Sequence, residues 1–142
     1  MVKLLENDTL AYRRIAEIEK ESFSSCWGAE EYQNLNENDN VKILVYEEES
    51  SGILGFVIFC DVLGDVEIYR IAVEKERRGK GIGAILMNAA SEYATGNMVL
   101  EVRVTNDAAI ALYKKVGLSC LGVRKKYYED GEDAFIFGRK AK

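Results

Sequence analysis

The sequence predicts an α/β (α+β) fold, with a mixed, mostly antiparallel central sheet of about seven strands and helices on both faces. Three observations predict it. Short apolar or alternating runs bounded by turn residues recur along the chain, and two of them, residues 41–46 and 53–60, are joined only by a charged turn ending in Gly52, as in an antiparallel hairpin. A glycine-rich turn joins an apolar strand pattern to an amphipathic helix pattern. No linker, repeat or low-complexity tract divides the 142 residues, so residues 1–142 are expected to form a single domain.

The elements follow in order. Residues 2–5 make a short strand. Asn7, Asp8 and Thr9 offer caps for a helix to about residue 22, with Leu10, Ile15, Ile18 and Phe23 among its apolar positions. A second helix is read over 27–37, ended by the Asn- and Asp-rich run 36–40. The hairpin 41–60 comes next. A turn at 61–65 leads into 66–73, apolar enough for a central strand. After the glycine turn a helix runs to about residue 95, where Gly96 and Asn97 stop it. Residues 98–104 alternate, with Leu100, Val102 and Val104 on one face and Val99, Glu101 and Arg103 on the other. Thr105, Asn106 and Asp107 cap a helix over 108–116, closed by Gly117. Ala109, Leu112, Tyr113 and Val116 recur at helical spacing, so Tyr113 faces inward. Residues 118–128 and 134–137 are read as the last two strands, joined by the acidic turn 129–133.

Composition removes several function classes. A net charge of −5 argues against a nucleic-acid surface and for a cationic partner or substrate. The N-terminus turns acidic within six residues and no apolar run is long enough to span a bilayer, so no signal peptide and no membrane contact are expected, and the cytoplasm is the expected compartment. Cys26, Cys60 and Cys120 are widely spaced and odd in number, which gives neither a disulfide framework nor a metal site, and they are expected to be packed or partly exposed thiols. Histidine is absent, which removes the Ser-His-Asp and Cys-His triads and the HExxH zinc site. A general base must then be a carboxylate, lysine, tyrosine, cysteine or relayed water.

The run Arg77-Arg78-Gly79-Lys80-Gly81-Ile82-Gly83 opens a helix. Its glycines let backbone N–H groups converge, the helix adds the positive end of its dipole, and the cationic side chains add charge, which together suit a pyrophosphate. It is not a P-loop, because GxxxxGK[ST] is absent. Gly79, Gly81 and Ala84 satisfy the dinucleotide pattern GxGxx[G/A], and Glu101 lies where that motif wants an acid. Two features count against that rival. The charged run 74–78 separates the strand from the first glycine, and too few residues follow for a doubly wound sheet.

Arg78-Gly79-Lys80-Gly81-Ile82-Gly83 matches the R-x-x-G-x-G signature of the GNAT acetyltransferases, which bind coenzyme A. Three blocks, 67–73, 100–113 and 126–134, resemble the RimI family, bacterial enzymes that acetylate the N-terminal alanine of small-subunit ribosomal protein eighteen. The similarity spans nearly the whole chain and is weak over 27–55. In two places the chain departs from the family. Arg70 stands where asparagine is usual, and Ser24-Ser25-Cys26 replaces a proline-rich approach to Trp27.

The resemblance implies the GNAT fold, acetyl-CoA as co-substrate without a metal, and a protein or peptide N-terminus as acceptor, expected to be that of a ribosomal protein. It implies that the backbone of Ile71, Ala72 and Val73 pairs with the pantetheine arm, and that the turn Arg77, Arg78, Gly79, Lys80, Gly81, Ile82 and Gly83 holds the pyrophosphate. Asn106 touches the pantetheine, unless it serves as a helix cap alone. It implies Glu101 as general base and Tyr113 as the acid toward the leaving thiolate. The other readings are a strand carboxylate paired with Arg103 and a core tyrosine. Trp27, Glu67, Tyr69, Tyr127 and Tyr128 are expected to wall the acceptor cleft. Adjacent Tyr127 and Tyr128 would face opposite sides if they lay in a strand. Two alternatives stay open: the same fold acting on a polyamine or aminoglycoside, and a non-catalytic acyl-CoA-binding module.

Overall fold

The computed structural model describes residues 1–141. The elements are β1 (Val2–Leu4), α1 (Thr9–Lys20), α2 (Ala29–Asn36), β2 (Val41–Glu48), β3 (Gly52–Val62), β4 (Asp65–Val73), α3 (Ile82–Tyr93), β5 (Met98–Arg103), α4 (Asp107–Lys115), β6 (Ser119–Arg124) and β7 (Ala134–Arg139). A short 3-10 turn at Lys75–Arg77 precedes the glycines. The seven strands form one sheet in the order β1-β2-β3-β4-β5-β7-β6. Every neighbouring pair is antiparallel except β4 and β5.

Period-two alternation sorts the apolar side chains into two layers. Leu44, Val57 and Phe59 pack under α3 with Leu86, Met87 and Phe137. Ile43, Val45, Phe56 and Ile58 pack under α1 and α2 with Ile15, Ile18 and Tyr32. Each such side chain contributes about 1.5–3 kcal/mol. A surface pair such as Lys3–Glu47 contributes about 0–1 kcal/mol, so the two layers hold the fold.

Three of the boundaries that differ from the sequence reading bear on the site. Asp8 caps α1 by accepting from the Ala11 amide at 3.2 Å, but the helix ends at Lys20, leaving Phe23 in the following segment. Leu10 is 73% exposed, because the buried stripe of α1 runs through Ala11, Ile15 and Ile18. The second helix begins at Ala29 rather than residue 27, since Gly28 turns the chain with φ +84° and keeps Trp27 outside it. The strand read over 118–128 stops at Arg124. Lys126 takes φ +51°, and the Asp133 carboxylate accepts from the Lys126 amide at 2.9 Å and from Lys125 Nζ at 3.2 Å. Those bonds fold residues 125–133 into a loop.

One irregularity positions the site. Ile58 lies opposite Arg70 while Phe59 lies opposite Ile68, so Tyr69 is an extra residue in β4. A bulge of this kind shifts the alternation by one. Before it, Val66 and Ile68 face the α3 layer; after it, Ala72 faces the α1–α2 layer. Glu67 and Arg70 therefore project from the same face, which an unbroken strand would forbid.

Candidate active site

β4 and β5 are registered at only two pairs, Val66 with Met98 and Glu67 with Val99. Beyond Glu67 the strands part, and a cleft of 1240 Å³ opens between them. That exceeds the ~300–1,000 Å³ typical of a pocket for one small ligand, so two reactants have room. Its walls come from β4, β5, the segment between α1 and α2, the glycine turn, the start of α4 and the Tyr127–Tyr128 loop.

The glycine turn forms one mouth of the cleft. Gly79 and Gly81 have φ of +77° and +88°, and a Cβ at either would meet nothing within 4 Å. Backbone conformation, not space, therefore requires glycine there. Gly83 differs: a Cβ would come within 3.2 Å of the Leu112 side chain, so α3 and α4 pack closely at this point. Among the described residues, the amides of Gly79 to Ala84 find no protein acceptor. They are the free donors expected at a helix start and suit an anion. The two arginines are held elsewhere. Arg78 donates to Val73 O, Glu21 O and Ser22 Oγ at 3.1, 3.2 and 2.9 Å, and Arg77 donates to Ser51 Oγ at 3.2 Å. These bonds brace the turn against β4 and the end of α1.

Ile71 and Val73 are half-buried and Ala72 buried, on the β4 edge that β5 has left. The Asn106 side chain caps α4, accepting from the Ala109 amide at 3.2 Å, and also lines the cleft. Tyr113 faces inward as its helical spacing predicts, 6% exposed, with its ring centroid 6.3 Å from that of Phe137. Burial pushes its phenol well above the ordinary range, so it stays protonated at neutral pH.

The other mouth carries the carboxylates. Leu100 and Val102 face the α3 layer, so Glu101 projects to the same side as Glu67 and Arg70. Desolvation, and after it the charge of Glu101, raises the Glu67 carboxyl above the usual carboxylate value, while Arg124 works the other way. The Glu101 side chain is 14% exposed and pairs with Arg124 Nε at 3.2 Å. It does not pair with Arg103. That guanidinium turns to Asp130 at 2.9 Å and Glu132 at 3.3 Å, and lies 4.0 Å over the Tyr128 ring. The loop after β6 brings both Tyr127 and Tyr128 to the cleft, with ring centroids 5.0 Å apart and edge to face. A continued strand would have kept them on opposite faces. Loss of solvent raises both phenols. Tyr69 is pushed up to about 12 by loss of solvent and by the Cys60 thiol. Trp27 is half-buried between the cleft and the Tyr32 ring, 5.4 Å away.

The sequence reading passes over two residues here. Glu19 is fully buried and accepts from the Trp27 and Gly28 amides at 3.0 and 3.2 Å, from the Tyr32 hydroxyl at 2.7 Å and from Arg70 Nη1 at 2.6 Å. A carboxylate four residues after Ile15, inside an apolar stripe, was the available signal. Through Ala134, Arg124 stands level with Arg103, and it reaches diagonally across β7 to Glu101, two residues before it. Nothing local in the sequence announces that.

The family model described as the acetyltransferase (GNAT) family matches residues 12–118. A protein of Bacillus subtilis (strain 168), provisionally named a ribosomal protein bS18-alanine N-acetyltransferase, is 39% identical over 128 residues, 86% of this chain and 84% of its own. The ribosomal protein bS18-alanine N-acetyltransferase of Haemophilus influenzae (strain ATCC 51907) is 30% identical over 124 residues, 82% of this chain and 81% of its own. In fold, the chain is similar to Arabidopsis thaliana NAA60 in complex with acetyl-CoA, with a TM-score of 0.85, 19% identity and 99% of each chain covered. The strand order, the parted β4–β5 pair and the glycine turn at a helix start thus occur in a chain that belongs to the GNAT acetyltransferase family.

Proposed function

We propose that the protein transfers an acetyl group from acetyl-CoA to the N-terminal α-amine of a protein, and that the acceptor is the N-terminal alanine of ribosomal protein bS18. The observation that carries this reading is the parting of β4 and β5. It leaves free donors for an anion at one mouth and carboxylates at the other, so donor and acceptor can enter from opposite sides. The relatives named above supply the ribosomal acceptor.

Acetyl-CoA, when bound, supplies the activated thioester. The free amides of Gly79 to Ala84, with the mobile charge of Lys80, suit its pyrophosphate. The unpaired β4 edge at Ile71, Ala72 and Val73 offers backbone groups to the pantetheine, and Asn106 lies beside the same channel. Arg77 and Arg78 hold the turn's shape while adding positive potential.

Glu101 takes the proton from the acceptor amine. A peptide α-amine loses its proton at about 7.7–8.0, against about 10.4 for lysine, so a carboxylate suffices for the former. Glu67 attracts the cationic N-terminus to the mouth. Tyr113 gives its phenolic proton to the departing thiolate. Tyr113 is 6% exposed and lines the cleft. Trp27, Tyr69, Tyr127 and Tyr128 wall the acceptor peptide.

The wall also carries Arg70 and Arg103. A closed acidic pocket for a polycation would lack these cations, which supports a peptide over a polyamine or aminoglycoside. The test is acetyl transfer to a panel of peptides differing in their first residues, among them the bS18 N-terminus, beside an N-terminally blocked lysine peptide and spermidine. A mass gain confined to the α-amine is expected. Reaction of lysine side chains or spermidine alone overturns the reading, and no turnover at all favours a non-catalytic acyl-CoA module.

A further inference from the structure

We propose that Arg124 is a positioning residue that keeps the Glu67–Glu101 carboxylate pair ionised and so holds Glu101 ready to accept a proton. The proposal rests on the reading of Glu101 as general base. It starts from geometry. Glu67 and Glu101 lie on neighbouring strands, on one face, where β4 and β5 begin to part. Like charges so placed resist ionising together, and a pair without a counter-charge tends to share one proton. A carboxylate that already holds a proton cannot take one from an amine.

The counter-charge has to come from another element. The arginines that line the cleft, Arg70, Arg77, Arg78 and Arg103, are all held by other groups. Arg78 is bonded to the ends of β4 and α1. Arg70 is paired with the buried Glu19 and lies over the Trp27 and Phe23 rings. Arg103, two residues from Glu101, is drawn off by Asp130 and Glu132. Among the described residues only Arg124 pairs with Glu101. The other titratable groups facing the pair are Tyr127 and Tyr128 from the loop after β6, Tyr69 from β4 and the Cys60 thiol of β3, opposite Glu67, none of them cationic; the three phenols are neutral near pH 7. Tyr127 and Glu67 are each raised by the Glu101 charge and lowered by Arg124, so the guanidinium that pairs with Glu101 also acts on Glu67 and Tyr127. Arg124 is on the outermost strand and its side chain is 54% exposed, so it can move with an entering peptide while Glu101 stays fixed in β5.

Carbon-13 NMR of glutamate-labelled protein tests this without relying on turnover. The Glu67 and Glu101 side-chain carboxyls are assigned by loss of their signals in Glu67→Gln and Glu101→Gln. In Arg124→Gln the two apparent midpoints are expected to rise by about one pH unit, and Arg124→Lys is expected to restore most of that. Near-ultraviolet dichroism that matches the parent shows that the variant is folded. In the same variant, kcat falls several-fold in acid and recovers as the pH rises past the shifted midpoints, with the acetyl-CoA KM unchanged. Midpoints that stay within about 0.2 units of the parent's overturn the proposal. Full turnover by Glu101→Gln overturns the general-base reading instead, and the carboxyl midpoints still decide what Arg124 does to the pair.

Discussion

Glu19 in α1 and Arg70 in β4 form a buried ion pair, 2.6 Å from carboxylate oxygen to Nη1, across 51 residues of sequence. The pair fastens the segment between α1 and α2. Glu19 also holds the Trp27 and Gly28 amides, and Arg70 donates to Ser25 O at 2.8 Å and stacks on Phe23 and Trp27. Arg70 thus has its counter-ion in the fold, and this wall of the cleft is tied to the sheet by a charge.

Removing one partner of that pair leaves the other charge buried. Arg70→Met is expected to lower stability by about 3–5 kcal/mol, read from urea unfolding midpoints. A loss under about 1 kcal/mol would mean the pair behaves as a surface contact. In protein that remains folded, the peptide KM should rise several-fold while the acetyl-CoA KM is kept.

Glu101→Gln keeps the shape of the side chain and removes the proposed base. A fall in kcat of about 100-fold at neutral pH is expected, with acetyl-CoA affinity little changed, measured by steady-state kinetics and by calorimetric titration. Equal turnover in variant and parent would remove Glu101 from the mechanism.

Tyr113→Phe deletes a hydroxyl at the cleft and leaves the ring packed near Phe137. Its unfolding midpoint should therefore stay close to the parent's. If the phenol protonates the leaving thiolate, kcat should drop by about tenfold or more. An unchanged kcat would make Tyr113 a core residue only.

Gly81→Ala places a side chain at φ +88°, at a cost of about 1–2 kcal/mol, although the space is open. The expected outcome is a raised acetyl-CoA KM with the peptide KM near that of the parent, since the strain falls at the mouth where the free amides converge. A matching loss in both constants would point to general unfolding of the turn.

Glu67 sets a pH dependence of stability. Its carboxyl is raised in the folded state, so the folded protein holds this proton more tightly than the unfolded chain does. The favourable contribution is present below the unfolded value of 4.5 and is lost as pH rises through the higher folded value. Glu67→Gln should therefore gain stability relative to the parent between pH 4 and pH 7, as paired denaturation curves will show. A stability difference that does not change over that range would mean that the carboxyl is unperturbed.

Much of the molecule is determined by the sequence itself. Alternation on 98–104 sends Glu101 away from Leu100 and Val102, helical spacing turns Tyr113 inward, and glycines at 79 and 81 mark residues with positive φ, because these are local consequences of backbone geometry. The glycine turn and the blocks downstream identify the family on their own. Tertiary structure decided the rest. The Tyr69 bulge exists only as a register shift between β3 and β4, and it puts Arg70 on the face of Glu67. The turn at Lys126 is held by Asp133 and swings both tyrosines to the cleft. The partners of Glu19 and Glu101, Arg70 and Arg124, stand 51 and 23 residues away. A charge shows in the sequence as a residue type, but its partner is chosen by which strands lie side by side, and that is a property of the folded sheet.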